Sequence, residues 1–543
     1  MEIQTLQIIA AASVAKGLAE GSIHPTNFPL SESSSTKILK DLFRLTFTNY
    51  SPDLYSHLCE MLKVSKVDHK GYWLCDNSIR LFRAQNLKSL TLGRFDWLVS
   101  HMSRNTYGET KFEDLYHKEM IMKKPTDIVR VLEHVLNEDS QKNLMHLNMD
   151  TEVYETRRMF SRNWVTPITH MLPQLQSLSI YNRILTAEDF QVICSGFPNL
   201  RSLNISGTRL NNLSGISQLK YLEVLSIGNL KLGSAMDLID IFNLPMLKVL
   251  NMSCELSCRK TCCNRVQFMQ FLECNRMMPE LLSLDVSFNI LPNQWLPKVM
   301  ERCPKLKQVA VVGETPVLTR GIEIISGHDL KSINRALKHY LTMENRPMIL
   351  ELLDLATEIL EDASEDEIPL VPSDIQDCAE IVCRINDIYQ SDYPIHHKSA
   401  PTLSFLLKNR CSNKPKVLRY LRFICNFYLD NDYFTEFFPK FEYIFEAIGD
   451  QELMRDTTLD FNQFYSIAYR ILALSTEEED WKIPCIAFIE RVGLRKLDKN
   501  EYRLINKTTL LGSLRAIGRS EQYLEIYRNA AERIQAFVTR TFP

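Results

Sequence analysis

One six-residue pattern recurs along the chain: a leucine, two residues, an aliphatic residue, one residue and a second aliphatic residue. Its copies begin at Leu87, Leu144, Leu175, Leu200, Leu222, Leu247, Leu281 and Leu306. From Leu175 onward the starts lie 25, 22, 25, 34 and 25 residues apart, which fits the period of about 20–29 residues of leucine-rich repeats. One such unit cannot bury its apolar face alone, so neighbouring units must stack into a continuous core. The spacing therefore predicts an α/β leucine-rich-repeat solenoid.

Helix-ending prolines support this interpretation. A proline stands two residues before the first leucine of five copies, at Pro173, Pro198, Pro245, Pro279 and Pro304. Proline restricts the residue before it and often marks the end of a helix. The stretch Ala187–Ile193 suits such a helix on the outer side of a repeat. We interpret the repeat leucines as core residues, which indicates a binding scaffold but names no partner.

Composition argues against several other functions. The 543 residues include only 17 glycines, with neither a GxxxxGK[ST] nor a GxGxxG motif, so the common nucleotide-binding loops are absent. The net charge of −3 gives no strong field for nucleic acid or an anionic membrane. No local signature pairs a cysteine with a histidine for nucleophilic catalysis. We therefore expect no catalytic residues, no cofactor, and neither nucleic acid nor membrane as a partner.

The 14 cysteines follow no secreted-domain spacing. The apolar run Leu6–Ala15 is too short to span a bilayer, and Glu2 stands where a signal peptide is basic. We expect reduced thiols and a cytoplasmic and/or nuclear location. The long repeat interval contains Cys254, Cys258, Cys262 and Cys263, with Cys274 beyond. This spacing is not a paired zinc-binding pattern, so a repeat loop with free thiols is favoured over a metal site, and we predict no metal ligand.

Helical periodicity replaces the leucine pattern near residue 328. Apolar helices are predicted over Met348–Ala356, Ile375–Tyr389, Thr402–Leu407, Val417–Leu429, Phe434–Ile448, Phe461–Leu474, Ile483–Val492, Thr508–Ile517 and Glu521–Val538. The acidic residues 361–367 are predicted to form a solvated linker or surface loop. Successive helices without strands predict an all-α armadillo-like helical-repeat domain, and a compact helical bundle is the alternative.

The N-terminus carries a possible docking helix. Leu6, Ala10 and Val14 are four residues apart and fall near one helix face, with Thr5 able to cap its start. This resembles the elongin C-binding box, in which Leu6 would be the anchor in an apolar pocket. Phe28 and Pro29 resemble the start of a cullin-two box, although Glu32 stands where a hydrophobic residue is expected. The alternative is a helix that packs on the first repeat.

The order of these segments resembles the Zyg-eleven and Zer-one family. Locally, Leu474–Glu478, Cys485–Glu490 and Gly493-Leu494 look like the family's LTDES…C..F…GL segment, and Leu510–Leu514 looks like its following MLGLL helix. The resemblance implies a substrate receptor of a cullin-two–RING ubiquitin ligase. Its implied partners are elongin C with elongin B, a cullin-two-type scaffold with its RING protein, and an unknown protein substrate.

The chain departs from the family at the pocket that reads glycine N-termini. Leu472, Ala473 and Thr476 stand where Trp, Asn and Asp are expected, and Ala516 and Arg519 replace an Asn and a Glu. Because a peptide amine needs carboxylates around it, we expect this pocket to be lost. The chain also ends at Pro543, before a full armadillo array would end. The resemblance is therefore to a divergent and shortened member.

Together these observations divide the chain into elongin- and cullin-box-like helices at 1–50, leucine-rich repeats at 51–325 and armadillo-like repeats at 326–543. The predicted function is a substrate-receptor subunit of an elongin–cullin-RING E3 ubiquitin ligase without the glycine N-degron pocket. The alternative is a leucine-rich-repeat interaction scaffold outside the ubiquitin system.

Overall fold

The computed structural model of the chain divides it into two compact units, residues 1–326 and 327–543. The residues described are 10, 11, 13–18, 30–44, 52–69, 74, 76–92, 125–150, 160–230, 232, 235–254, 267–314, 321–365, 369–389, 392–409, 411–430, 434–450, 453, 459, 461–474, 482–494, 505–520 and 522–541. None of the helices within those ranges is long and apolar enough to cross a membrane.

The first unit is built on a parallel sheet of ten short strands, which lie in the sheet in the same order as in the chain. They are β1 (Lys66–Asp68), β2 (Ser89–Thr91), β3 (His146–Asn148), β4 (Ser177–Ser179), β5 (Ser202–Asn204), β6 (Val224–Ser226), β7 (Val249–Asn251), β8 (Ser283–Asp285), β9 (Gln308–Ala310) and β10 (Glu323–Ile325). Each copy of the leucine pattern contains one of the strands β2 to β9. The leucine-rich-repeat prediction is confirmed.

Register explains how the repeats share one core. The middle residue of each strand from β1 to β9 is buried, whereas Ile324 of β10 is half-buried. Equivalent residues pair across strands, as Leu178 does with Leu203 and Leu225 with Leu250. The residues on either side of the middle one in β4 to β7 are half-buried on the opposite face, as the twofold alternation of a strand requires. One face of the sheet therefore belongs to the core and the other is open to solvent.

Short helices precede the first strand and connect several of the others in this unit. They are α1 (Glu32–Arg44), α2 (Pro52–Met61), α3 (Asp76–Arg83), α4 (Ile128–Val135), α5 (Glu138–Asn143), α6 (Val165–Met171), α7 (Ala187–Gly196), α8 (Gln267–Glu273) and α9 (Trp295–Arg302). The prediction of a helix over Ala187–Ile193 is confirmed by α7. Before β6 and β7 the connection is instead a 3-10 helix, at Ile216–Gln218 and Ala235–Asn243.

After each strand from β3 to β9, the turn is held by a side chain that accepts a hydrogen bond from a backbone N–H group. In four repeats the last strand residue is Asn148, Asn204, Asn251 or Asp285, and its side chain accepts from the N–H two residues later at 2.8–3.1 Å. The short polar side chain of Asn or Asp is well suited to this role.

Where the last strand residue is Ser179, Ser226 or Ala310, the preceding repeat supplies the acceptor. Asp150 Oδ1 accepts from Tyr181 N at 2.8 Å, Ser206 Oγ from Gly228 N at 3.1 Å, and Ser287 Oγ from Val312 N at 3.0 Å. These three acceptors occupy the same position in their own repeats. The buried N–H groups are thus satisfied in both cases.

The second unit is helical. Its helices are α10 (Leu330–Thr342), α11 (Arg346–Glu365), α12 (Pro372–Ile388), α13 (Tyr393–Lys408), α14 (Lys414–Asp430), α15 (Phe434–Ile448), α16 (Asn462–Leu472), α17 (Ile483–Val492), α18 (Lys507–Arg519) and α19 (Glu525–Thr541). Consecutive helices pack in pairs, α10 with α11 through to α18 with α19. Even-numbered helices pack in succession from α10 to α18, and odd-numbered helices from α11 to α19. Such pairs, each packed on its neighbours, are the units of a helical repeat.

The largest differences from the predicted helix boundaries are at the end of α11 and at the start of α13, and α10 was not among the predicted helices. Residues 361–365 are not a loop, because α11 continues through Glu365 and keeps Leu360 and Ala363 buried on its apolar face; residues 366 and 367 lie outside the described part. The helix predicted to begin at Thr402 begins at Tyr393 and contains Pro401. The prediction was too short because proline usually ends a helix.

Candidate interaction sites

The N-terminal candidate helix is described from Ala10 to Leu18, apart from residue 12. Ala11, Ala15 and Leu18 are buried in the core of the repeat unit. Ala10 is exposed, and Val14 is half-buried against the same core. Leu6 lies outside the described residues. The helix therefore packs on the repeats and still leaves Ala10 accessible.

Helical geometry explains this mixture. At 3.6 residues per turn, successive residues are about 100° apart around the axis. Ala11, Ala15 and Leu18 point within roughly 60° of one another, and Ala10 lies about 100° from the centre of that face. Val14 falls between the two, which accounts for its partial burial. The elongin-box face and the core face are therefore adjacent stripes of one helix.

The cullin-box candidates Phe28 and Pro29 lie outside the described residues. Glu32, which departs from that box, begins α1. Its Oε1 accepts from Ser65 N at 3.1 Å and from Ser65 Oγ. These hydrogen bonds from Ser65 lower the pKa of Glu32 from its usual range. Glu32 therefore ties α1 to the residue just before β1.

The described positions of the predicted pocket differ in their exposure. Leu472, the last residue of α16, is fully buried, and Ala473 is 9% exposed. Ala516 and Arg519 are both exposed on α18. Thr476 lies outside the described residues. A side chain as buried as that of Leu472 cannot contact a peptide, so it cannot line a pocket.

A lysine that the sequence analysis missed occupies this region. Lys482, just before α17, is fully buried. Its Nζ donates to the carbonyl oxygen of Leu474 at 3.0 Å and to Ser513 Oγ at 2.8 Å. The carbonyl groups after α16 carry the negative end of that helix, which favours a cation. Nothing in the surrounding sequence distinguishes Lys482 from a surface lysine.

The open face of the sheet carries a second feature that the sequence analysis missed. The residues that directly follow the first leucine of each copy form a continuous row across the repeats. From Met145 onward, the N–H of each donates to the carbonyl oxygen of the equivalent residue in the preceding repeat at 2.7–2.9 Å. In order the row is Lys88, Met145, Gln176, Arg201, Glu223, Lys248, Leu282 and Lys307. We call this the basic row. The repeat register alone could have revealed it.

One carboxylate in the basic row is shared by two cations. Glu223 Oε1 lies 2.6 Å from Arg201 Nη1, and its Oε2 lies 2.7 Å from Lys248 Nζ. Hydrogen bonds from Lys248 and Arg201 lower the pKa of Glu223. The cationic side chains remain 56% and 41% exposed, so they are open to further partners.

The described cysteines form no disulfide with one another and are mostly buried. Burial raises the pKa of Cys194 to about 12 and that of Cys303 to about 11, so these thiols stay protonated at neutral pH. Within the described ranges, no three His, Cys, Asp or Glu side chains are grouped to hold a metal ion. Cys254 is buried and Cys274 half-buried, whereas Cys258, Cys262 and Cys263 lie outside the described residues.

Comparison with known proteins gives one informative relative. The chain is 26% identical over 356 residues to gastrulation-defective protein 3 of Caenorhabditis elegans, covering 65% of this chain and 46% of that protein. This relative is a member of the Zyg-eleven and Zer-one family and supports the resemblance of this chain to that family. The chain thus spans less than half the length of the curated relative that it matches. No family model matches the chain.

A solved structure, the mouse RP105/MD-1 complex, matches 55% of this chain and 56% of its own at 13% identity, with a TM-score of 0.22. A score that low bears on neither fold nor function. The assignment of the first unit as leucine-rich repeats rests instead on the sheet and its register.

Proposed function

We propose that this chain is the substrate-receptor subunit of an elongin–cullin-RING E3 ubiquitin ligase, without a pocket for glycine N-termini. The observation that carries the proposal is the N-terminal helix, which is anchored through Ala11, Ala15 and Leu18 while Ala10 stays exposed. Relationship to the Zyg-eleven and Zer-one family supports the same role. The chain would do no chemistry, because transfer of ubiquitin would occur on associated proteins.

In this proposal Leu6, Ala10 and Val14 dock elongin C, which brings elongin B, and Phe28 and Pro29 contact a cullin-two-type scaffold that carries the RING protein. A helix laid in an apolar groove is a common mode of recognition. The second unit is then an armadillo-like domain, and the complex works in the cytoplasm, the nucleus or both. The paired succession of α10 to α19 supports the armadillo-like assignment.

Charge and burial at the corresponding positions disfavour a pocket for glycine N-termini. A peptide amine is a cation and requires carboxylates nearby. At the corresponding positions the described residues offer the buried Leu472 and the exposed Arg519. Lys482, also buried, donates to Leu474 O and Ser513 Oγ. Neither Leu472 nor Arg519 supplies the carboxylate that a cationic peptide amine requires.

Co-precipitation of purified elongin B/C with the full chain tests the proposal. Leu6→Asp and Ala10→Asp should each reduce recovery at least about tenfold, since burying a leucine is worth about 1.5–3 kcal/mol. The control is Lys16→Asp, on the exposed side opposite the core face. If wild type and Leu6→Asp recover equally little elongin C, the chain is better described as a repeat scaffold outside the ubiquitin system.

A further inference from the structure

We infer that the open face of the repeat sheet binds an acidic, extended segment of a partner protein along the basic row. The inference concerns the partner of the repeat unit and does not rest on elongin binding. The chain as a whole has a net charge of −3. Against that background the row contains four cations, Lys88, Arg201, Lys248 and Lys307, and a single carboxylate, Glu223.

From β2 to β9 the first strand residues add no carboxylate beside the row, whereas β10 begins with Glu323. The first residues of β2, β4, β5 and β8 are serines, and those of β6 and β7 are valines. The first residue of β3 is His146, and burial together with Lys66 lowers its pKa below the usual range. It is therefore neutral at pH 7. The first residues of β2 to β8 thus form an uncharged surface beside the row, and we call this surface the floor.

Small side chains on the floor allow a second backbone to approach closely. Ser177, Ser202 and Ser283 are half-buried on this floor, and Val224 and Val249 lie side by side near its centre. Beside the row, Tyr221 is 55% exposed and Met246 is 40% exposed, each three residues before its strand. An acidic segment with one or two apolar residues would therefore match both the charge and the central apolar contacts.

The spacing of the cations sets the length of the ligand. Neighbouring strands are about 4.8 Å apart, so the row extends about 34 Å from the repeat of Lys88 to that of Lys307. An extended chain rises about 3.3 Å per residue, so about ten residues would span it. Arg201, Lys248 and Lys307 lie in alternate repeats, about 10 Å apart. In an extended ligand of polyproline II conformation, which has three residues per turn and a rise of about 3.1 Å, acidic side chains three residues apart point the same way and would meet these cations in turn.

Fluorescence anisotropy with the full chain tests this inference. The probe is a labelled twelve-residue peptide that has Glu or Asp at every third position and a central Leu-Tyr pair. We expect binding that weakens by about tenfold between low and high salt, because exposed charges are screened. Lys248→Glu/Lys307→Glu should weaken it by about tenfold or more. A basic peptide of equal length should not bind.

The matched control is Lys142→Glu/Lys298→Glu, which changes the net charge equally at exposed positions on α5 and α9. It should change affinity by less than about twofold. The variant Arg201→Gln/Lys248→Gln is a second test with less risk of misfolding. It removes two cations of the row without placing a new carboxylate beside Glu223. Equal losses in the row and control variants would overturn the inference. So would tighter binding of a single-stranded oligonucleotide, which would indicate a general polyanion surface.

Discussion

Arg346 and Asp392 form a bidentate ion pair inside the helical unit. Arg346 Nη2 donates to Asp392 Oδ1 at 2.8 Å, Arg346 Nε donates to Asp392 Oδ2, and the two side chains are only 4% and 5% exposed. The same carboxylate accepts from Ile395 N at 3.2 Å and caps α13. The pair therefore joins the first turn of α11 to the start of α13.

Removing one partner of this pair should be strongly destabilising. Arg346→Met leaves the Asp392 carboxylate buried without its main counter-charge, which costs about 3–5 kcal/mol. Chemical unfolding of the full chain, followed by far-ultraviolet circular dichroism, measures the loss. The control is Lys338→Met, since Lys338 and Asp377 form an exposed pair at 3.3 Å that is worth at most about 1 kcal/mol. Equal losses at the two pairs would contradict this account.

His69 should make the repeat unit sensitive to acid. It is buried at the start of the repeat array, edge-on to Phe82, and burial lowers its pKa to about 3. The unfolded chain binds a proton near pH 6.5 whereas the folded chain does not. The stability due to neutral His69 is therefore fully present above pH 6.5 and is lost as the pH falls from 6.5 towards 3. The expected slope is about 1.4 kcal/mol per pH unit.

His69→Leu should remove that part of the pH dependence. Apolar residues fill this position in the other copies of the repeat, with leucine at Leu92, so the variant should unfold at pH 5 with a higher free energy than wild type. His134→Leu is the control, because His134 is partly accessible on α4. Identical pH profiles for wild type and His69→Leu would show that the imidazole does not titrate in this way.

The outermost strands of the sheet were not predicted, and the reason is local. In the first repeat the pattern is Val64, Val67 and His69, so a histidine stands in the third apolar place. In the last repeat the three apolar places of the pattern hold Gly321, Ile324 and Ser326, so only the middle place is apolar. The eight inner copies were predictable because a leucine or another aliphatic residue fills all three places. Terminal repeats have one neighbour rather than two and tolerate such departures.

The interaction sites were less predictable than the fold. The four-residue spacing of Leu6, Ala10 and Val14 identified a helix face, but not that an adjacent face is anchored in the core. Lys482 is bonded to Ser513, which is 31 residues away along the chain. No local pattern reports such a contact. The packing of α16 to α18 had to be known before the buried ammonium could be recognised.

Lys482 should stabilise the junction of α16, α17 and α18. Lys482→Met keeps the length of the side chain but leaves Leu474 O and Ser513 Oγ without their charged donor. Hydrogen bonds to charged groups contribute about 1.5–3 kcal/mol, so we expect a loss of that size on urea unfolding. Lys298→Met, at an exposed position on α9, should change stability by less than about 0.5 kcal/mol. A neutral effect of Lys482→Met would mean that desolvation of the ammonium offsets its hydrogen bonds.

Ser253 and Ser287 occupy equivalent places in adjacent repeats, but only one supplies an acceptor to the next repeat. Ser287 Oγ accepts from Val312 N at 3.0 Å because Ala310 cannot. The next repeat after Ser253 ends its strand with Asp285, which provides its own acceptor. Ser287→Ala should therefore cost about 1–3 kcal/mol, the price of an unsatisfied buried N–H group, whereas Ser253→Ala should cost less than about 1 kcal/mol. Faster hydrogen exchange at Val312 in the first variant alone would identify the cause, and equal losses in both variants would mean that the acceptor role of Ser287 is unimportant.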